Sequence, residues 1–210
     1  MARWRRLLAG AAGAAGTVAA GAAARRAWRR WQRARLQTPD HEVVIADGAF
    51  ELRRYPDLLV AQVVRRGSRR QALRAGFGLL ADYMFAESRE GGALPMTAPL
   101  LLDSPGEGWA GGDGEGVWRT RLPMPAELTR ATLPPPGPDV EIVDLPARSV
   151  AVLRFSGGSG DVALTRKRGE LRAWMMERGL RALAGVEYAY YSPPLTPPPL
   201  RHNEVMIEVR

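Results

Sequence analysis

The chemistry open to this chain is narrowed first by the side chains it lacks. With no cysteine among 210 residues, disulfides, thiolate metal sites, cysteine nucleophiles and covalent cofactor attachment through C-x-x-C-H are all excluded. Imidazole is available at His41 and His202 alone. Ser156 and Ser159 in FSGGSG have no histidine nearby and no strand-turn-helix elbow, which argues against a serine hydrolase. No P-loop, dinucleotide fingerprint or metal-ligand cluster occurs. What remains is arginine, a planar cation suited to carboxylates. Arg53-Arg54, Arg65-Arg66, Arg119, Arg121 and Arg201 are the candidates, although any single one is better read as a solvent-facing strand residue. Met84 and Met96 are soft apolar groups, and a methionine on a helical stripe is usually core filler.

The elements that must position these groups begin after a charged leader. Nine arginines, Arg3 to Arg35, precede the first acid, Asp40. Of the 30 basic residues that leaves 21, against 22 acids. The net charge of +8 therefore belongs to the leader, and a nucleic-acid partner, which would need its positive footprint on the folded part, is not expected. Leu7 to Ala24 carries no charge and is short of the ~20 apolar residues that span a bilayer. It reads as a membrane anchor running over residues 3–36, with Trp28 and Trp31 among arginines at the headgroups. The alternatives are an export signal that delivers a periplasmic domain, since Arg5-Arg6-Leu7-Leu8 is like a twin-arginine start, and a soluble alanine-rich helix. Residues 1–39 are thus the leader and linker, and 40–210 the folded domain, expected to be a monomer.

Hydrophobic content of 46% is ample for one core. Phe50 to Tyr55 alternates and stops at Pro56; Leu58 to Val64 is a second strand. Leu73, Phe77, Leu80 and Met84 then fall at helical spacing, with Ser68 as N-cap. Pro95 to Leu102 reads as a strand, a glycine-rich loop runs to Gly116, and Val117 to Leu122 puts Val117, Arg119 and Arg121 on one face. The pattern then returns. Val140 to Leu145 stops at Pro146, Ser149 to Phe155 follows, and a helix from Asp161 carries Leu164, Leu171, Trp174 and Met175, with Gly179 at C′. Strands over Val186 to Tyr191 and Asn203 to Val209 complete the chain. Five prolines between these last two read as a stiff, extended crossover. Each half is strand, strand, helix, strand, strand, and neither can bury a sheet face alone. The expected fold is α+β: a distorted antiparallel β-barrel from two quasi-repeats with two flanking helices.

Six stretches lie in the order found in the SOUL heme-binding protein family: FELRRYPDLLVAQVV, LLADYMFAES, PMTAPLLL, VWRTRLPMP, LPARSVAVLRFSG and YAYYSPPLTPPPLRHNEVMIEV. The MTAP tetrapeptide and the proline-rich ending are the most specific. The chain resembles that family from about His41 to its C terminus. The resemblance implies a pseudo-two-fold barrel related to GyrI-like small-molecule-sensing domains. It also implies non-covalent binding of heme or a related tetrapyrrole for transport, storage or buffering rather than catalysis. Three positions depart from the pattern: Leu195 and Met206 stand where tryptophan is frequent, and His202 where a second arginine is common.

A heme site asks for an apolar slot, cations for two propionates and, optionally, an iron ligand. Under the resemblance His202 is the candidate axial ligand, Arg201 its propionate-pairing neighbour, and Arg53, Arg54, Met84 and His41 further candidates for the ligand-binding set. Read blandly, His202 is a solvated loop residue and His41 sits at a disordered domain edge. GyrI-like relatives use a buried acid toward cationic ligands, and some hydrolyse small molecules. That supplies the alternative, with Glu204 as general base and Tyr191 as proton donor, unless Glu204 is merely as polar as Glu208 on the same strand face.

Overall fold

The computed structural model describes residues 36–87, 89–105, 115–192 and 196–210. The expected anchor, its Trp28 and Trp31, most of the glycine-rich loop, and Leu195 lie outside them. Among the described residues no helix is long and apolar enough to cross a membrane.

Alternating apolar residues bounded by proline corners set the strands, and their order is β1 (Glu42–Asp47), β2 (Phe50–Tyr55), β3 (Leu58–Gly67), α1 (Arg69–Phe85), β4 (Leu100–Asp103), β5 (Gly116–Pro123), β6 (Glu141–Leu145), β7 (Arg148–Phe155), α2 (Asp161–Glu177), β8 (Ala182–Tyr190) and β9 (Asn203–Val209). The nine strands form one antiparallel sheet in the order β1-β2-β7-β9-β8-β4-β5-β3-β6. Exchanging each strand of the first repeat for its counterpart in the second (β2 for β6, β3 for β7, β4 for β8, β5 for β9) reverses that order from β2 to β6 and otherwise leaves it unchanged. The two-fold therefore passes between β4 and β8, and the first strand of each repeat pairs with the second strand of the other. Two quasi-repeats and two helices are present as expected. The outer strands β1 and β6 do not pair, so the sheet stays open and "barrel" describes it only loosely.

Three elements differ from expectation. β1, whose EVVIAD run carries no periodic signal, is an additional edge strand paired to β2. The stretch from Pro95 becomes a strand only at Leu100, because Pro95 and Pro99 have no N–H for a ladder. Thr97 instead forms an isolated bridge to Gln37, and its hydroxyl donates to the Pro123 carbonyl at 2.5 Å. Lastly, the proline-rich segment does not hold β8 and β9 apart. They are direct neighbours, with Tyr190 opposite Asn203 and the Tyr191 N–H donating to the His202 carbonyl at 3.2 Å. Proline is excluded from a ladder, not from a long hairpin loop, and here it closes one through a 3-10 turn at Pro198–Leu200.

Both helices cover one face of the sheet. α1 starts at Ser68 with a full capping box to Gln71, and α2 ends with Gly179 in the left-handed region at φ 66°. Arg69, almost wholly buried, ties the two helix starts together: it donates to Asp161 (2.8 Å), the Tyr190 hydroxyl (2.9 Å) and the Ser159 carbonyl (2.9 Å). Between helices and sheet lies the main core, with Leu80, Met84, Trp118, Leu164, Leu171 and Tyr188 at its centre. At Gly76 α1 packs tightly on β5. A methyl group there would sit 2.7 Å from Thr120 Cβ and overlap its hydroxyl oxygen. Gly76→Ala is therefore expected to lower stability by about 1–3 kcal/mol, although alanine is the better helix former. Thermal melts check this: Thr120→Ala in the same chain should restore only part of the loss, because its own Cβ remains.

Candidate functional site

The other face of the sheet gathers the titratable groups. Alternation along β2 places Glu51, Arg53 and Tyr55 on it. They lie opposite Val152, Val150 and Arg148 of β7, which in turn face Met206 and Glu208 of β9, with Arg154 opposite Glu204. A second, smaller apolar cluster of Tyr55, Leu101, Val150, Val152, Ala189 and Met206 forms the floor. An open groove of about 370 Å³ runs over it, at the low end of the ~300–1,000 Å³ usual for ligand clefts. Both histidines line it. A larger cavity of about 570 Å³ opens between α2 and the start of β8, away from this cluster.

Arg53 is the hub. Nη2 and Nη1 donate to the two oxygens of Glu204 at 2.9 and 3.0 Å, Nε donates to Glu51 at 2.6 Å, and Nη1 also reaches the Tyr55 hydroxyl at 3.1 Å. Glu204 is 1% exposed and accepts a further bond from the Tyr191 hydroxyl at 2.8 Å. Its Oε1 lies 3.3 Å from His202 Nε2. Burial alone would raise the Glu204 pKa, but hydrogen bonds from His202, Arg53 and Tyr191 and the charge of Arg53 outweigh it and hold the carboxyl at about 2. Burial, reinforced by the Glu204 charge, pushes the Tyr191 phenol up. Arg154, its side chain 44% exposed, meets Glu51 at 3.0 Å at the groove's edge.

A second network continues along the same face. Glu187 accepts from Arg121 Nη2 and, at 2.7 Å, from Arg148 Nη2. Arg119 and Arg121 share Asp103. Burial would raise the Glu187 pKa; the charges of Arg148 and Arg121 lower it instead.

Of the sequence candidates, the structure brings His202, Arg53 and His41 together on the groove. His202 is half exposed, yet its ring stacks on Tyr191 at 4.3 Å and 9°, so it is not a free loop residue. His41 lies 5.0 Å from the Tyr55 ring rather than at a loose edge. Met84 is fully buried in the helix-side core. Arg54 points to the opposite face from Arg53 and pairs with Glu42 in solvent. Arg201 donates to the Thr196 carbonyl within the proline loop at 2.8 Å and does not line the groove. Tyr191 does touch Glu204, and Glu204 is buried where Glu208 stays at the rim; simple alternation is not the explanation. Glu51, Tyr55, Arg148 and Arg154 are groove residues that the sequence reading passed over. Continuing the period-2 faces from Arg53 and Val150 would have found all four.

A family model described as SOUL heme-binding protein matches residues 36–208. No curated protein matches the chain. Solved structures share the fold: a hydrolase from Listeria innocua (16% identity, 87% of this chain and 96% of that one, TM-score 0.52), an uncharacterized conserved protein from the same organism (16%, 83% and 93%, 0.54), and the EcmrR C-terminal domain (11%, 77% and 96%, 0.56). At such identities the likeness is one of fold alone.

Proposed function

This chain belongs to the SOUL heme-binding protein family, and we propose that it binds heme or a closely related anionic tetrapyrrole, non-covalently, in the groove over β2, β7 and β9. One observation carries the reading. The acids of the groove are already neutralised, Glu204 by Arg53 and Glu51 by Arg53 and Arg154, and Arg148 is held by Glu187. No bare carboxylate is left in the lining to repel an anion, and the charge that reaches solvent at the mouth is a cation. Tyr55, Tyr191, Leu58, Leu101 and Met206 offer a flat apolar surface to a ring. Arg154, the most exposed of the cations, suits a ligand carboxylate at the mouth. The groove is open and of limited volume, so a tetrapyrrole enters by one edge and keeps the other in solvent, which fits transport or buffering better than permanent retention.

The imidazoles match the iron of such a ligand. His202 Nε2 faces a carboxylate, and His41 Nδ1 lies 3.4 Å from the Pro39 carbonyl. Bonds of this kind fix the tautomer of a metal-ligating histidine and leave its other nitrogen to coordinate. The competing reading, Glu204 as general base with Tyr191 as proton donor, has the contact it needs at 2.8 Å. It lacks the proton affinity, because a carboxyl held at about 2 is a weak base near neutral pH.

Hemin titration of the full-length chain, followed by Soret absorbance, tests the proposal. A saturable shift is expected, weakened roughly 3- to 10-fold in Arg154→Ala by loss of one charge-assisted contact. Loss of the Soret shift in His202→Ala or His41→Ala names the axial ligand; an equal shift in both means groove binding without one. Absence of any saturable shift, with ester cleavage that disappears in Glu204→Gln, would replace this reading by the hydrolytic one.

A further inference from the structure

A buried carboxylate between aromatic walls is, by its chemistry, a receptor for a cation: the acid supplies charge and the ring faces supply cation–π attraction. Glu204, 1% exposed and hydrogen-bonded to Tyr191, has that character, with the Tyr55 ring beside it on the same groove. Here the cation is built in. The Arg53 guanidinium grips both oxygens of Glu204 end-on through Nη1 and Nη2, takes Glu51 with Nε and touches the Tyr55 hydroxyl. The two acids come from β2 and β9, and the Arg53–Glu204 pair bridges 151 residues of sequence. Arg53 is 4% exposed, so no ligand needs to displace it for the groove floor to be complete.

We propose that Arg53 acts as an internal cationic ligand that sets the charge class of the groove, so that it accepts flat anionic rings and refuses cationic ones. The assignment rests on the groove being the binding site, and it deepens the tetrapyrrole reading by naming the residue that decides ligand charge. Removing Arg53 leaves Glu51 and Glu204 facing the groove, balanced only by Arg154 at its edge, since Arg148 is held by Glu187. A planar cation would then replace the lost guanidinium. Removing Glu204 does the reverse and leaves Arg53 with an unfilled donor edge. Arg54, its sequence neighbour, has no such role, since it lies on the other face paired with Glu42.

Two tricyclic probes of like shape and opposite charge test this on the full-length chain: anthracene carboxylate and the cation proflavine, each followed by fluorescence. The wild-type chain should prefer the anion. Arg53→Met should reverse the order, with proflavine affinity raised at least about tenfold, while Arg53→Lys keeps the wild-type order. Glu204→Gln should raise anion affinity several-fold, and Arg53→Met with Glu204→Gln should remove the preference. Circular dichroism of each variant reports folding. If Arg53→Met does not fold, the Glu204→Gln arm still decides: unchanged anion affinity there overturns the assignment, as does a folded Arg53→Met chain with wild-type order. Hemin separates the two levels. A failed hemin titration alongside the predicted reversal removes the tetrapyrrole reading and leaves Arg53 in its role. Hemin binding without reversal removes the role of Arg53 alone.

Discussion

Replacing Glu187 with leucine is expected to cost about 3–5 kcal/mol, the range for removing one partner of a buried ion pair and stranding the other. Glu187 is 5% exposed on β8 and is gripped by Arg121 and Arg148, whose own side chains are 7% and 9% exposed. Neither arginine has much in reserve. The Nε–H groups of both are buried and donate to no partner among the described residues. Once Glu187 is gone, Arg121 keeps Asp103 at 3.3 Å and Arg148 keeps a distant Glu208 at 3.9 Å. For a domain of this size the loss corresponds to a fall in Tm of roughly 10 °C. The pair itself need not be stabilising, because apolar replacements of buried ion pairs are often neutral. Arg148→Met added to Glu187→Leu should therefore recover most of the melting temperature, since Arg121 still has Asp103. A Glu187→Leu chain that melts within a degree or two of the parent would mean that the network is hydrated and contributes little.

Much of the fold was legible because two local signals survive in a single sequence. The X-Pro corners at Pro56 and Pro146 punctuate both repeats, and β5 alternates cleanly enough to assign faces, with Trp118, Thr120 and Leu122 against Arg119 and Arg121. Ser68 and Gly179 marked helix ends through their capping chemistry, which is also local. What failed was pairing. β1 offers neither period 2 nor flanking prolines, and it becomes a strand because β2 presents it with an edge. The proline loop looked like a spacer because its composition says only what it cannot do inside a ladder.

The site was harder to read for the same reason, carried further. Arg53 and Arg54 are equal in the sequence, yet a one-residue step along a strand sends them to opposite faces, one into a buried network and one into solvent. The Arg53–Glu204 contact spans 151 residues, and no composition or spacing reports it. Met84 was drawn into the candidate set by its sulfur, but its place on the α1 stripe already assigned it to the core. His41 and His202 meet on one groove only because β1 and β9 flank β2 and β7 in the sheet.

Acid should weaken this protein by more than its surface carboxylates account for. The Glu204 carboxyl is held at about 2 in the folded chain, whereas an unfolded glutamate titrates near ~4.3. A folded pKa below the unfolded one means that folding favours the ionised form. The contribution is complete above the unfolded value and is lost as pH falls through the interval from about 4.5 to about 2. Its size is roughly 3 kcal/mol. Glu187 shifts in the same direction, with Arg148 and Arg121 overcoming the burial that would raise it, and so adds to the loss with the same sign. Urea unfolding at pH 7 and at pH 2.5 should show the fall directly. Glu204→Gln begins less stable, since Arg53 loses its bidentate partner, but it has no carboxyl to titrate at that position. Because pH 2.5 still lies above the folded value, its stability should fall between the two pH values by roughly 2 kcal/mol less than that of the parent chain. Equal falls in both chains would show that Glu204 is not held ionised by Arg53, and the groove would then lack the internal ion pair on which its preference for an anionic ligand depends.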